Sequence, residues 1–408
     1  MSLVERFIKY VKIDTESNPH SNEVPSTKKQ FDLANLLVNE LKELKVDDVK
    51  LSKEGIVYAY LKGNIKTDTV GFIAHMDTSS DMSGKNVKPR IIKQYDGNKI
   101  ILNKEKDIIM DPKVFTSLST NIGEDLIVTD GTTLLGGDDK AGIAEIMELL
   151  TYYVANPNIP RGDIKVAFTP DEEIGKGTDY FDVDYFNADY AYTVDGGLSH
   201  CISYENFNAA SCEVLINGVS VHPGKSKHKM KNSMLLAFEF NSLLPVFDNP
   251  AYTEGYEGFN HLISINGQCE NTKMSYIIRN HDEVLLEKQK KDFMNACEFM
   301  NKKYGANTIV LDIQMTYLNM RHYIEKNMKV VDIAKQAMID LGMQPTSEAI
   351  RGGTDGAMLT YKGLLCPNLG TGTYLCHGKF EYTSIQEMER CRDLLIKIVE
   401  NISKFNKD

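Results

Sequence analysis

The sequence predicts an α/β protein carrying an inserted α+β domain, and three observations predict it. Short, nearly unbroken apolar runs such as Val70 to Ala74 and Ile164 to Phe168 alternate with helical stretches, as strands buried on both faces of a sheet do. Between 208 and 320 this gives way to strand, helix, strand, strand, helix, strand, the ferredoxin-like split unit. The 408 residues also exceed the ~250 to 300 at which a single core stops growing. The expected boundaries are 1–207 with 321–408 for a discontinuous first domain, and 208–320 for the insertion.

Leu3, Phe7, Ile8, Tyr10 and Val11 set a short first helix. Pro25-Ser26-Thr27 opens a longer one with Phe31, Leu33, Leu37 and Leu41 on its buried face. Strands are expected at 49–51, 56–61 and 70–74, the last delivering His75-Met76-Asp77-Thr78. From 83 to 133, β-prone runs at 90–92, 100–102 and 126–128 are broken by glycine, proline, asparagine and aspartate, a small β-rich insertion without an evident role. A glycine-rich turn then opens a helix from Asp138, and strands at 164–168 and 190–194 deliver Asp171-Glu172-Glu173 and Asp195-Gly196-Gly197. The inserted domain reads as strand 209–216, helix 230–244, strands 259–265 and 273–278, helix 283–303 and strand 308–318. Helix 328–341, strand 363–369 and helix 384–405 return to the first domain.

Lys plus Arg number 46 and Asp plus Glu 57, a net charge of −11 that repels nucleic-acid phosphates and anionic membranes. No apolar run nears the ~18 residues of a membrane span, and Met1 to Tyr10 lacks a secretory pattern, so a cytoplasmic protein is expected. Seven scattered cysteines without Cys-x-x-Cys spacing read as reduced thiols.

An acidic pair at a helix start, such as Asp138-Asp139, ordinarily caps the helix. Here it has company: His75 and Asp77, Glu172 and Glu173, Asp195, and His377 in Cys376-His377-Gly378-Lys379. Clusters at strand ends occupy the place where open α/β sheets bind ligands. Adjacent Glu172 and Glu173 would raise each other's pKa unless a cation lay between them, and zinc accepts imidazole and carboxylate together. In His75-x-Asp77 the ring can ligate while the carboxylate takes its other N–H. The Gly136-Gly137-Asp138 turn presents acids and lacks the lysine-serine ending of a phosphate loop. The inserted domain lacks the aromatic motif and basic face of an RNA binder.

In order, His75-Met76-Asp77, Gly136 to Gly142, Phe168 to Gly175, Thr193 to Gly197 and Cys376 to Lys379 resemble the five motifs of the co-catalytic dizinc exopeptidases related to carboxypeptidase G. Through Glu205 to Ser211, Thr253 to Phe259, Ile350 to Ala357 and Cys366 to Leu369, the chain is similar nearly end to end to that family's cytoplasmic tripeptide aminopeptidases. Two departures are Gly136-Gly137, where the pattern has Gly-Ala, and a basic stretch at 225–231; neither touches a proposed ligand.

The resemblance implies a zinc-exopeptidase-like catalytic domain with a mixed central sheet, the inserted domain serving as a lid. Two Zn2+ ions would be bridged by Asp138, with His75 and Asp195 completing one site and Glu173 and His377 the other. Asp77 would orient His75. Glu172 would be general base to a metal-bridging water that attacks the amino-terminal peptide bond of a tripeptide. His222 would stabilise the oxyanion, and Arg279 and Arg351 would hold carboxylate or carbonyl groups. A cis Asp138-Asp139 peptide is implied too. The strand before His222 and its neighbours offer an edge for a homodimer through the lid. A deacylase or dipeptidase of the same superfamily would share fold and metals. A binding scaffold would have no use for Glu172 beside Glu173.

Overall fold

The computed structural model describes residues 1–405 and forms two compact units, Met1–Tyr204, His322–Glu348 and Thr354–Asp408 in the first, Glu205–Arg321 and Ala349–Gly353 in the second. Residues 406–408, the end of the domain expected over 321–408, lie outside the described residues.

The first unit is built on a seven-stranded mixed sheet in the spatial order Asp48–Leu51, Val57–Leu61, Ile164–Thr169, Val70–His75, Tyr190–Val194, Asn368–Leu369 and Ile202–Ser203. Val70–His75 lies parallel to both neighbours, with His75 opposite Thr169 and Ile73 opposite Thr193. All its residues are buried, which is why it reads as an unbroken apolar run rather than an alternating one. Parallel pairing in this register brings the residues after all three strands out at one edge of the sheet.

Helix Gly137–Ala155 packs on this strand and against helices Leu3–Val11 and Ile385–Phe405. It is apolar nearly all round because it is buried nearly all round. Its start presses on the neighbouring strand: a Cβ on Gly142 would lie 1.9 Å from the Val194 carbonyl oxygen, so only glycine fits.

A second, four-stranded sheet gives the 83–133 insertion its place. Its order is Thr373–Tyr374, Tyr382–Ser384, Leu126–Val128 and Arg90–Ile92, all antiparallel. Tyr95, Ile100, Leu102, Met110, Leu118, Leu126 and Val128 of the insertion pack with Tyr382 in one core. The insertion is the floor beneath the hairpin that carries His377.

Some sequence expectations in this unit need correction. The helix expected from Pro25 begins at Gln30, because Ser26 is held by its N–H (2.6 Å) and hydroxyl (2.5 Å) to the Asp171 carboxylate. The strand expected over 363–369 is reduced to Asn368–Leu369. The carbonyls of Leu365 and Pro367 still accept from Ala191 and Thr193 at 2.9 and 3.1 Å, but Pro367 has no N–H to donate back.

In the second unit the antiparallel order is Phe259–Gly267, Asn271–Asn280, Asn208–Asn217 and Ile309–Tyr317, the arrangement of a ferredoxin-like split unit. Helices Ser233–Ser242 and Glu283–Tyr304 share its core, where Leu236, Phe240 and Phe293 meet Cys212, Val214 and Ile216. The first begins later than 230 because Asn232 caps it, accepting from the Met234 N–H at 3.0 Å. No helix among the described residues is long and apolar enough to cross a membrane.

Glu145, on helix Gly137–Ala155, is fully buried, and neither carboxyl oxygen has a hydrogen-bond partner. Burial, reinforced by Glu387 and opposed by Arg392, pushes it well above the ordinary carboxylate range. A raised folded-state pKa means that its contribution to stability is complete below ~4.3 and is lost as pH rises toward the folded value. Thermal melts of Glu145→Gln should therefore lie close to wild type near pH ~4 and rise above it with pH, by up to about 1.4 kcal/mol per pH unit. A constant difference across that range would refute this account.

Candidate metal centre

Five segments deliver the acids and histidines to one edge of the central sheet. His75 ends its strand, Asp195 follows Tyr190–Val194, and Glu172 and Glu173 lie in a short 3-10 turn after Ile164–Thr169. Asp138 heads its helix, and His377 sits in the hairpin loop between Thr373–Tyr374 and Tyr382–Ser384. Two groups result, His75 with Asp138 and Asp195, and Asp138 with Glu173 and His377; in each, one donor atom per residue lies within 4.8 Å of the others. His75 Nε2 is 3.0 Å from Asp138 Oδ1, whereas His377 Nε2 is 3.3 Å from Asp138 Oδ2 and 3.1 Å from Glu173 Oε2. The two oxygens of Asp138 thus face one group each.

The surroundings fix these directions. Gly136 adopts φ 78°, and the Asp138-Asp139 peptide is cis, as the resemblance implies. Asp139 lies outside both groups; its carboxylate accepts from the N–H of His75 at 3.1 Å and of Gly142 at 3.3 Å. Fully buried Asp77 accepts from the N–H groups of Glu172 and Glu173 at 3.0 and 3.2 Å. His75 Nδ1 lies 3.1 Å from the Asp77 carbonyl oxygen and 3.3 Å from its Oδ1, so the carbonyl shares the orienting role expected of the carboxylate. Either acceptor favours a proton on Nδ1 and leaves the Nε2 lone pair directed at the centre.

Two further acids belong here that the sequence reading gave no role. Glu381, 2 % exposed, accepts from the N–H groups of Leu135, Gly136 and Asp138. Asp355 accepts from the Thr169 hydroxyl at 2.7 Å. Their only sequence signal is position, four residues after His377 and within the Ile350 to Ala357 stretch.

So many acids in one place disturb one another. Desolvation, reinforced by neighbouring carboxylates, pushes Glu172 well above its ordinary value and raises Glu173; Asp195 and Asp355 go up to about 7. Burial pushes Glu381 to about 7 against the pull of its N–H donors. Asp138 goes the other way: burial would raise it, but bonds from His377 and His75 hold it well down. His377 is raised to about 11 by Asp138 and then Glu173, and His75 is raised by Asp138 and Asp77 although burial opposes it. Glu173 Oε1 is buried with no hydrogen-bond partner, an atom a cation would satisfy. Imidazole nitrogens and carboxylate oxygens in two groups sharing one acid suit zinc.

His222, Arg279 and Arg351 belong to the second unit. His222 is exposed, and its Nδ1 accepts from the Gly224 N–H at 3.2 Å, which leaves Nε2 as donor in the neutral ring. Arg279 donates to the carbonyls of Ala210 and Ile278 at 3.1 and 3.0 Å and lies over Tyr317. Arg351 donates to the carbonyls of Gly255 and Glu257 at 2.5 and 2.9 Å and lies over Phe207. Both guanidiniums are anchored on backbone and ring faces rather than on acids.

The profile of peptidase family M20/M25/M40 matches residues 133–401. The chain is 51% identical over 407 residues to a peptidase T of Alkaliphilus oremlandii, covering 99% of this chain and all of that one. Among solved structures it resembles an aminopeptidase PepT from Bacillus cereus, with TM-score 0.76, 23% identity and 98% of both chains covered. A tripeptidase from Staphylococcus aureus matches with TM-score 0.78, 20% identity and the same coverage. With a shared fold, a half-identical full-length relative and a profile that spans the Asp138 helix and His377, the chain belongs to peptidase family M20/M25/M40.

Proposed function

We propose that the chain is a tripeptide aminopeptidase of the peptidase T kind, working with two Zn2+ ions. The observation that carries this is Asp138, which offers one oxygen to each of two three-residue groups while Glu172 stands beside the ligand Glu173 and outside both groups. His75, Asp138 and Asp195 would hold one ion, and Asp138, Glu173 and His377 the other. Bound there, the ions supply an activated water as nucleophile and a Lewis acid for the scissile carbonyl.

Glu172 would take the proton of the attacking water and pass it to the leaving amine. Its carboxyl, held above the ordinary range by burial, suits a group that must take up a proton and then give it away. Asp77 fixes the base and the ligand beside it through their N–H groups, so the two glutamates keep separate roles. The second unit would act as a lid whose His222 donates from Nε2 to the oxyanion, with Arg279 and Arg351 receiving the peptide's carboxylate. The strand before His222, Asn208–Asn217, is paired on both sides, so a homodimer through that unit's sheet would use the strands at its edges, Phe259–Gly267 or Ile309–Tyr317; seven free cysteines accord with a cytoplasmic enzyme.

Metal analysis of the saturated protein should find two ions per chain. Glu172→Ala should keep both and lose turnover by roughly 10²- to 10⁴-fold, whereas Glu173→Ala should lose metal. Identical behaviour of the two variants would overturn the assignment of base and ligand. Given a free tripeptide, its N-acetylated form and a dipeptide, the enzyme should release the leading residue of the first alone. Preference for the acetylated peptide would mark a deacylase. His222→Ala should lower kcat by roughly 10²- to 10³-fold with KM little changed, and unaltered kinetics would return His222 to a structural turn.

A further inference from the structure

We infer that Glu381 shapes the metal centre before any ion arrives, as a positioning residue whose carboxylate locks the Asp138 turn and the His377 loop into one body. The inference rests on the two-ion reading above.

The carboxylate makes three bonds to one turn. Oε2 accepts from the N–H groups of Leu135 at 2.7 Å and Gly136 at 2.8 Å, and Oε1 from that of Asp138 at 3.0 Å. At 2 % exposure water offers little competition for these donors. Nothing nearby replaces them: helix Gly137–Ala155 starts from Gly136 without a side-chain cap, and Asp138 and Asp139 have non-helical backbone angles. Buried N–H groups left unpaired are costly. Glu381 supplies the acceptors this turn lacks, from the far end of the sequence.

Its other attachment is the loop of His377. Glu381 ends the connection between the two hairpin strands, and its N–H bonds the Gly378 carbonyl at 3.1 Å, closing the chain just beyond the histidine. The backbone of the turn lies against the same hairpin, where a Cβ on Gly137 would meet Thr383 Oγ1 at 2.6 Å and Thr373 Cγ2 at 2.7 Å. The bridging acid and the histidine of one group are therefore fastened to each other through Glu381. His75 and Asp195, at the ends of adjacent parallel strands, are fixed by the sheet instead. Loss of Glu381 should loosen the Asp138, Glu173 and His377 group most, because two of its members are fastened through Glu381, and the other group less, because it shares only Asp138.

Glu381→Gln keeps the size of the side chain but turns one acceptor oxygen into a donor facing backbone N–H groups. Zinc titrated into chelator-stripped protein against a chromophoric competitor should fill two sites in wild type. In the variant the Asp138, Glu173 and His377 site should weaken by roughly 10- to 100-fold, the usual effect of losing an outer-shell partner, and the site that shares only Asp138 should weaken by clearly less. Wild-type affinities at both sites, or equal weakening of both with a lower melting temperature of the metal-free protein, would overturn the inference. If wild type itself fails to take two ions, the two-ion reading fails instead. Should the variant not fold, amide exchange on metal-free wild type decides: Leu135, Gly136 and Asp138 should be protected without zinc. Exchange as fast as in open loops until zinc is added would show that the ion, not Glu381, forms the turn.

Discussion

Mutual repulsion among carboxylates crowded around Asp138 is the constraint on which the first unit depends. Acids at such separation cannot all be ionised in a desolvated place unless opposite charge is close by. The histidines supply part of it, and backbone N–H groups supply much of the rest. Asp77 is bonded by the Glu172 and Glu173 amides, Asp139 by those of His75 and Gly142, and Asp171 by that of Ser26, each acid tying a different segment to the centre. Negative charge thus becomes the fastening between loops, and the side chains of the two groups are left facing one another.

Such fastening works only because the sheet delivers its strand ends in step. The parallel register sets His75 beside Thr169, and Gly142 lets the Asp138 helix approach the strand that leads to Asp195. The remaining member of the two groups, His377, comes from a hairpin outside that sheet, so it needs a floor of its own. The β-rich insertion provides one, with Leu126–Val128 paired to Tyr382–Ser384 and a Tyr382 hydroxyl donating to Asn121 at 3.0 Å.

Much of this was legible in the sequence, for physical reasons. Unbroken apolar runs have few fates other than buried parallel strands, and histidines and acids placed after them are exceptional enough to be seen. Glu381 and Asp355 stayed hidden because an acid that binds backbone N–H groups, or a hydroxyl far off in the chain as Asp355 does, needs no particular neighbour in sequence. The late start of the helix at Gln30 was hidden likewise, since Ser26 is held by Asp171 from far along the chain. The insertion's purpose was illegible because its partner strand lies in the last part of the sequence. Arg351 stood out by its motif, but the carbonyls of Gly255 and Glu257 that hold it lie almost a hundred residues away and gave no signal.

The short strand Asn368–Leu369 lies between Tyr190–Val194 and Ile202–Ser203, strands made much earlier in synthesis. A ribosome therefore releases most of the central sheet with a slot still open, and the second unit's main segment, Glu205–Arg321, emerges before the slot can be filled. That segment contains all four strands and both helices of its own core, so it can fold while the first unit waits. His377 leaves the ribosome after the strand that fills the slot. Birth order thus sets assembly order: the group of His75, Asp138 and Asp195 is fully encoded before the second unit is made, and the group that includes His377 can be completed only once the chain is almost finished.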